Sequence, residues 1–251
     1  ATTLGLNLGG GGFGAITGTH AAEFTTVNVA ASGGANVLAN FTGAAVRALN
    51  VSGDQNLTMT AAALLANVTS VNVTNTGSTT FGTTTLNNAS SFTGAGGAES
   101  VIIGATTSAI NTGDGNDTVT LTGAALGVGG SIDAGDGLAD GLGMTSANAA
   151  TASATGAFEL TVSNFEQLSL GATADAATDN IILSNLDNIN TVSSAGGTAG
   201  GGVDTVNISN VATGFALTVT NGNVAGATAA TYSAALQTNG LADSIDRKSV
   251  V

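Results

Sequence analysis

The sequence has no cysteine, no proline and no tryptophan, and each absence narrows the structures that the chain can form. Without cysteine, disulfides and thiolate metal sites are excluded. Without proline, no strand position loses its hydrogen-bond donor, which suits long sheets. The chain has 38 glycines, 4% aromatic residues and mostly small or β-branched apolar side chains. This composition favours a thin, repetitive core over a thick globular one.

Positive charge is almost as scarce, because Arg47, Arg247 and Lys248 are the only basic residues in a chain of formal net charge −13. Nucleic acids and anionic membrane surfaces are bound through clusters of Lys and Arg, so we expect neither as a partner. No apolar run approaches the roughly 20 residues of a membrane-spanning helix, so membrane insertion is not expected. Charged residues amount to 8% and apolar residues to 43%, which is not the composition of a disordered chain.

The two ends of the sequence suggest a fragment. It begins with ATTLGLNLGGGG, without a methionine, and it ends with DRKSVV, where two of the three basic residues occur together. We interpret residues 246–251 as a non-native tail. Targeting signals would then lie outside the sequence, so their absence says nothing about localisation.

An internal repeat is the main signal in residues 1–90. Three segments recur at an interval of 22 residues: TVNVA (26–30), ALNVS (48–52) and SVNVT (70–74). In each, two apolar residues flank an asparagine, so alternation places the apolar pair on one face of a strand and the asparagine on the other. We expect Asn28, Asn50 and Asn72 to form an amide ladder along the stack or a solvent-facing row.

Short apolar segments separated by turns of Gly, Asn, Ser and Thr continue along the chain. They are residues 101–103, 119–121, 160–162, 168–170, 181–183, 206–208 and 217–219. No 12-residue helical pattern separates them, and only residues 60–68 suggest a short helix or a corner. We therefore predict an all-β chain folded as a parallel β-solenoid, a β-helix or β-roll, with residues 1–90 following the 22-residue period. The alternative is a β-sandwich, which normally needs larger core aromatics.

Acidic turns begin near residue 90. The segments TGDGNDTVT (112–120) and AGGGVDTVN (199–207) fit the nonapeptide G-G-x-G-x-D-x-U-x except at its first glycine. Two further turns, 93–101 and 134–142, contain one extra residue and place Glu99 and Asp140 where the motif has Asp. The intervals between Gly94, Gly113 and Gly135 are close to two nonapeptides, so we expect these three turns to stack on one edge of the solenoid.

Such turns offer the ligands of a hard cation. Calcium takes six to eight oxygen ligands, and turn carbonyls and carboxylates are what these segments provide. Carboxylates on successive coils about 5 Å apart would repel one another without a counter-ion. We expect Ca²⁺ at these residues: Gly113, Asp114, Gly115, Asp117, Glu99, Asp136, Asp140, Gly200, Gly202 and Asp204. The simpler interpretation is that Asp and Gly form turns, and for Asp114, Asp133 and Asp136 that is sufficient.

With these nonapeptides the chain resembles the RTX family, the calcium-binding β-rolls of secreted bacterial proteins. More widely it is similar to the RTX-type surface-layer (S-layer) proteins that Gram-negative bacteria export by type I secretion, most clearly over residues 91–137. The resemblance implies that residues 91–245 form an RTX-like calcium-binding β-solenoid located outside the cell, on the bacterial surface. It further implies that calcium orders the solenoid and mediates its self-assembly into a lattice, with cell-surface polysaccharide as another candidate partner.

Three other functional classes bear on this sequence: an adhesin, an ice-binding solenoid and an enzyme. The repeat region of a large RTX adhesin would have the same scaffold, and outward threonines at 118–122 and 217–220 would suit an ice-binding solenoid. An enzyme is not expected, because the only histidine is His20, beside Glu23. Glu159 and Glu166 could serve a glycosidase, but the aromatic platforms of sugar clefts are missing.

Overall fold

The structure is a computed structural model that describes residues 2–14, 16–17, 24–171, 177–187, 189–196, 205–220, 230–236 and 246–249. The chain is all-β and forms a parallel β-solenoid, which confirms the predicted fold class. The strand pairs of the described residues are parallel, in contrast to the antiparallel pairs of a sandwich. Among the described residues, no helix is long and apolar enough to cross a membrane.

The chain divides into two compact units. The first unit comprises Ala1–Leu121 and Leu126–Asp140, and the second comprises Thr122–Ala125 and Gly141–Val251. The change to acidic turns near residue 90 lies inside the first unit. The change in composition near residue 90 therefore does not coincide with the boundary between the two compact units.

The first unit contains fourteen described strands. They are β1 (Thr2–Leu8), β2 (Gly11–Phe13), β3 (Ile16–Thr17), β4 (Phe24–Ala31), β5 (Asn36–Thr42), β6 (Ala48–Gly53), β7 (Leu57–Ala61), β8 (Ser70–Val73), β9 (Thr79–Leu86), β10 (Ser91–Thr93), β11 (Glu99–Ile103), β12 (Ala109–Asn111), β13 (Thr118–Leu121) and β14 (Ser131–Asp133). One sheet has the order β1-β4-β6-β8-β10-β12-β14 and the other β2-β5-β7-β9-β11-β13, with β3 beside β5. Each coil therefore contributes one strand to each sheet.

The second unit contains nine described strands and one α-helix. The strands are β15 (Gly141–Met144), β16 (Val162–Ser163), β17 (Gln167–Leu170), β18 (Thr178–Ile182), β19 (Thr191–Ser194), β20 (Thr205–Val211), β21 (Ala216–Val219), β22 (Thr231–Leu236) and β23 (Asp246–Ser249), and the helix is α1 (Ser146–Ser153). Strands β15-β17-β19-β21-β23 form one sheet and β18-β20-β22 another. Short 3₁₀ segments lie at Ala63–Ala66 in the first unit and Leu183–Asn185 in the second.

The 22-residue repeat is the register of β4, β6 and β8. Val27, Leu49 and Val71 are aligned on successive strands and are at most 1% exposed. The asparagines between the apolar positions point outward, and the side-chain amide of Asn50 donates to Oδ1 of Asn28 over 2.8 Å. The predicted amide ladder is thus confirmed for this pair. The inward apolar side chains next to these asparagines stabilise each coil by about 1.5–3 kcal/mol per large side chain buried.

The core is thin, with few large side chains. In the first unit, Phe41, Phe81 and Phe92 are the large aromatic side chains of the core. The rings of Phe81 and Phe92 meet edge to face with centroids 5.9 Å apart. Most inward positions hold Val, Leu or Ile in rows along the stack. This arrangement agrees with the scarcity of aromatic residues in the sequence.

One predicted strand is largely wrong. Residues 160–162 were expected to be extended, but Leu160 lies in a turn and is 85% exposed, and the strand there is Val162–Ser163. Helix α1 precedes this turn, and the hydroxyl of Thr145 caps it by accepting a hydrogen bond from the backbone of Asn148 over 3.1 Å. The helix was not predicted because its alternation of Ala, Ser, Thr and Asn has no apolar stripe.

Candidate metal centre

Three stacked turns of the first unit bring carboxylates together. They connect β10 to β11, β12 to β13, and β14 to β15, and each ends with an acid. Strands β11 and β13 pair with Ser100 beside Thr118, which puts Glu99 next to Asp117. The backbone N–H of Glu99 donates to Oδ1 of Asp117 over 2.7 Å, and the backbone N–H of Asp117 donates to Oδ1 of Asp140 over 2.6 Å. We call Glu99, Asp117 and Asp140 the acidic stack.

Glycines allow the backbones of these turns to approach one another. A Cβ atom at Gly97 would collide with the carbonyl oxygen of Gly77, one at Gly115 with that of Gly97, and one at Gly137 with that of Gly115. Gly115 also has a φ of 132°, which residues with a side chain rarely adopt. The turns therefore form a column in which the carbonyl of one coil lies against the α-carbon of the next.

The acidic stack is buried and only partly hydrogen-bonded. Glu99 is 1% exposed, and Asp117 and Asp140 are fully buried. Neither carboxylate oxygen of Glu99 accepts a hydrogen bond of good geometry, although the backbone of Ala95 lies close enough to favour the charged carboxylate. Oδ2 of Asp117 has no hydrogen-bond partner. A buried carboxylate without a partner is costly, so these oxygens call for a proton or a cation.

The arginine whose side chain is described does not neutralise the stack. The guanidinium of Arg47 donates to the carbonyl oxygens of Ala44 and Val46, both over 2.9 Å, and to that of Asn67 over 3.3 Å. All three are backbone groups of the early coils. The charge of the acidic stack is therefore not balanced by Arg47.

Burial changes the protonation of the stack. Burial and, next, the charge of Asp117 raise the pKa of Glu99 to about 8, although the backbone of Ala95 favours the charged form. Burial raises the pKa of Asp117 to about 6. Hydrogen bonds from the backbone of Glu99 and the side chain of Thr112 oppose this rise, and the charges of Asp140 and Asp114 add to it. Near neutral pH, the stack without a metal would hold a proton on Glu99, which a bound cation would displace.

The donors of this site fit calcium. Buried carboxylate oxygens without partners and a cradle of turn carbonyls that a Cβ would fill are hard oxygen ligands. Within the described ranges, no group of three or more Asp, Glu, His or Cys side chains is arranged to hold a metal ion. An ion bound here would therefore take most of its ligands from backbone carbonyls, with Glu99 and Asp117 supplying the charge.

The other predicted ligands lie differently. Asp114 and Asp136 are exposed and form a backbone bridge, in which the N–H of Asp136 donates to the carbonyl of Gly113 over 3.0 Å and that of Gly115 to the carbonyl of Asp136 over 2.9 Å. These two aspartates thus occupy exposed turn positions outside the acidic stack. Asp133 is half-buried, and its Oδ1 accepts a hydrogen bond from the backbone of Gly135 over 3.0 Å. The predicted ligands of the second nonapeptide, Gly200, Gly202 and Asp204, lie outside the described residues.

Sequence reasoning missed two residues of these turns and two of earlier turns. Gly97 and Gly137 belong to the glycine column, and the spacing of Gly97 two residues before Glu99 was the available signal. Asn36 and Asn75 are buried in turns of earlier coils and hydrogen-bonded to turn carbonyls. Their signal was weaker, because Asn is frequent in turns of any kind.

The remaining candidates do not form a second described site. His20 and Glu23 lie outside the described residues. Glu159 is exposed in the turn after α1, and Glu166 is half-buried just before β17. An outward row of hydroxyl groups does exist in the first unit, since Thr118 is aligned with Ser100, and Ser100 with Thr80.

Comparison with models of known protein families finds no match, and comparison with curated proteins finds none either.

Proposed function

We propose that this protein is a secreted, calcium-binding structural protein of a bacterial surface layer, and that calcium orders its acidic stack. The observation that supports the proposal most is the set of buried carboxylate oxygens on Glu99 and Asp117 that accept no hydrogen bond of good geometry. The resemblance of these turns to the RTX nonapeptides points to the same cation. The function would be mechanical and self-associative, without catalysis.

The chain's own residues supply the physical reason. Successive coils of a parallel sheet lie about 5 Å apart, so two charged carboxylates in adjacent turns repel each other strongly in a buried site. A calcium ion would neutralise Glu99 and Asp117 and take further oxygens from the turn carbonyls. Because those carbonyls belong to successive coils, binding would join one coil to the next and stiffen the stack.

Self-association has an electrostatic basis as well. The formal net charge is −13, so copies of the chain repel one another at low ionic strength. The exposed carboxylates of Asp114 and Asp136 lie side by side on the turn edge and add to that repulsion. Divalent cations reduce it, which supports calcium-dependent assembly on a cell surface.

The proposal is tested on the full chain by far-UV circular dichroism and thermal melting in EGTA, in millimolar Ca²⁺ and in millimolar Mg²⁺. We expect calcium alone to raise the melting temperature, by about 5–10 °C for a site filled 100-fold above its Kd. Asp117→Ala should remove most of this shift, whereas Asp114→Ala, with an exposed side chain, should retain it. Identical spectra and melting curves in EGTA and calcium would refute the calcium-dependent function.

Assembly needs a separate measurement. Electron microscopy of the full chain, with and without calcium, should reveal ordered two-dimensional arrays only when calcium is present. A chain that binds calcium but stays monomeric under both conditions would contradict the surface-layer role and favour the adhesin repeat region instead.

A further inference from the structure

Each earlier coil of the first unit has a residue that is aligned, through the strand pairing, with Glu99. Strand pairing aligns Asn36 with Leu57, Leu57 with Thr79, and Thr79 with Glu99. Asp117 follows Glu99 in the same row, since the residues after them are paired. Asn36 is therefore the counterpart of Asp117 in a turn without acids.

Asn36 and Asp117 bond alike at one end of the side chain and differ at the other. Oδ1 of Asn36 accepts a hydrogen bond from the backbone N–H of Gly10 over 2.8 Å, as Oδ1 of Asp117 accepts one from the N–H of Glu99 over 2.7 Å. At the other end, Nδ2 of Asn36 donates to the carbonyl of Gly34 over 2.7 Å and to that of Ser32 over 3.3 Å. The corresponding atom of Asp117, Oδ2, can only accept, and it has no partner.

Asn75 makes the same donor contacts from another position of its turn, although its Oδ1 has no partner. Its Nδ2 donates to the carbonyls of Gln55 and Gly77, both over 2.9 Å. Gln55 and Gly77 are neighbours on successive coils, since a Cβ at Gly77 would meet the backbone of Gln55. One buried amide group thus joins the turn carbonyls of two coils. In the proposed function, a calcium ion at the acidic stack joins the carbonyls of successive coils in the same way.

We propose that the side-chain amides of Asn36 and Asn75 replace the metal ion in the early turns, so that calcium dependence is confined to the coils of the acidic stack. This inference rests on the proposed calcium-dependent function. The coils from β4 to β9 would then fold without calcium and present a preformed edge. Calcium would act as a switch only on the coils that follow, by adding them to that edge.

The first test is hydrogen exchange of the full chain, followed by mass spectrometry, in EGTA and in millimolar Ca²⁺. We expect peptides from residues 24–61 to be equally protected in both buffers. Peptides from residues 99–121 and 131–144 should exchange about tenfold more slowly with calcium, because their opening is then coupled to loss of the ion. Loss of protection in EGTA over residues 24–61 as well would overturn the inference.

Two reciprocal variants test the role of the amide group directly. Asn36→Asp removes the donor and should make residues 24–42 exchange about tenfold faster than wild type in EGTA, with recovery in calcium. Asp117→Asn adds a donor and should protect residues 99–121 in EGTA to within a few-fold of the calcium-loaded wild type. Asn50→Asp, the same chemical change on the outward ladder, is the control and should respond equally in both buffers.

The outcomes separate this inference from the function on which it rests. If calcium protects no part of the wild-type chain, the proposed function fails. If calcium protects the acidic coils but Asn36→Asp exchanges like wild type in EGTA, only the replacement of the ion by asparagine is overturned. Because Asn36→Asp lies in a separate coil, it remains decisive even if Asp117→Asn fails to fold.

Discussion

The turns at Asn36 and Asp117 occupy the same place in the coil, but their side chains differ in the hydrogen bonds they form. In each, a side-chain oxygen caps an N–H of the preceding coil. Asn36 then satisfies two carbonyls of its own turn with an NH₂ group, whereas Asp117 holds a buried oxygen without a partner. Under the proposed function, one solenoid scaffold would be self-sufficient in one coil and dependent on an ion in another, through the exchange of a single group.

The largest effect should come from the glycine column of the acidic turns. Gly115→Ala places a Cβ against the carbonyl of Gly97 and strains a backbone with a φ of 132°, so we expect unfolding to become easier by about 3 kcal/mol or more. Gly96→Ala lies in a neighbouring turn with open space around it and should change stability by about 0.5 kcal/mol or less. Chemical denaturation in calcium compares the two. Equal stabilities would contradict the close packing of the turns.

Removing the carboxylate that faces the next coil should have the second-largest effect. Asp117→Ala leaves the buried N–H of Glu99 without an acceptor and removes a proposed ligand, which should cost about 2–3 kcal/mol in calcium. Asp114→Ala should cost about 0.5 kcal/mol or less, since that side chain is exposed. Urea unfolding of both variants measures the difference. A similar loss in both would mean that the buried acid has no special role.

Without calcium, stability should fall as pH rises. The folded pKa of Glu99, about 8, and that of Asp117, about 6, are both raised above their ordinary values of 4.5 and 3.8. The folded state therefore binds protons more tightly, so this stabilisation is complete below about pH 4 and is lost as pH rises through about 8. Thermal melts in EGTA between about pH 5 and pH 8 should decline, and Glu99→Gln should flatten the upper part of the decline.

A calcium-free stability that rises steadily across this range would contradict the raised pKa values. The same series in calcium is the control, because a bound ion keeps both carboxylates charged and should remove most of the slope.

The smallest effect should come from the outward asparagines. Asn50→Ala removes the hydrogen bond to Asn28 at the surface and should cost about 0.5–1 kcal/mol. Asn36→Ala removes a buried network and should cost about 1–3 kcal/mol. Denaturation of the two variants in EGTA tests whether buried and outward amides differ. Equal losses would weaken the contrast between the two kinds of asparagine.

Much of the scaffold follows from local pattern. The alternation around Asn28, Asn50 and Asn72 predicts which side of each strand faces inward, and their constant interval predicts the coil length. Both signals are local and need no knowledge of distant contacts. The nonapeptide at Asp117 likewise predicted a turn rich in oxygen ligands. A sequence pattern does not show which oxygens remain without a hydrogen-bond donor after the coils stack. The burial of Glu99, for example, depends on the aligned residues of the adjacent coils.

The missed features have the same physical origin. Asn36 is an ordinary turn residue in sequence, and its importance arises from the carbonyls that its own turn aims at it. Helix α1 was not predicted because its composition lacks contrast, and Leu160 is exposed because the turn after that helix interrupts the expected strand. Both outcomes depend on tertiary packing rather than on propensity.

The central claim is that a bound cation contacts the buried turn oxygens of the acidic coils, whereas a side-chain amide donates to the turn carbonyls of the earlier coils. The most direct measurement is the calcium-induced change in melting temperature of wild type and of a Glu99→Gln, Asp117→Asn double variant. The account predicts that the double variant is already stabilised in EGTA and gains less than about half of the wild-type increase of about 5–10 °C. An equal increase in both proteins, or none in wild type, would contradict it.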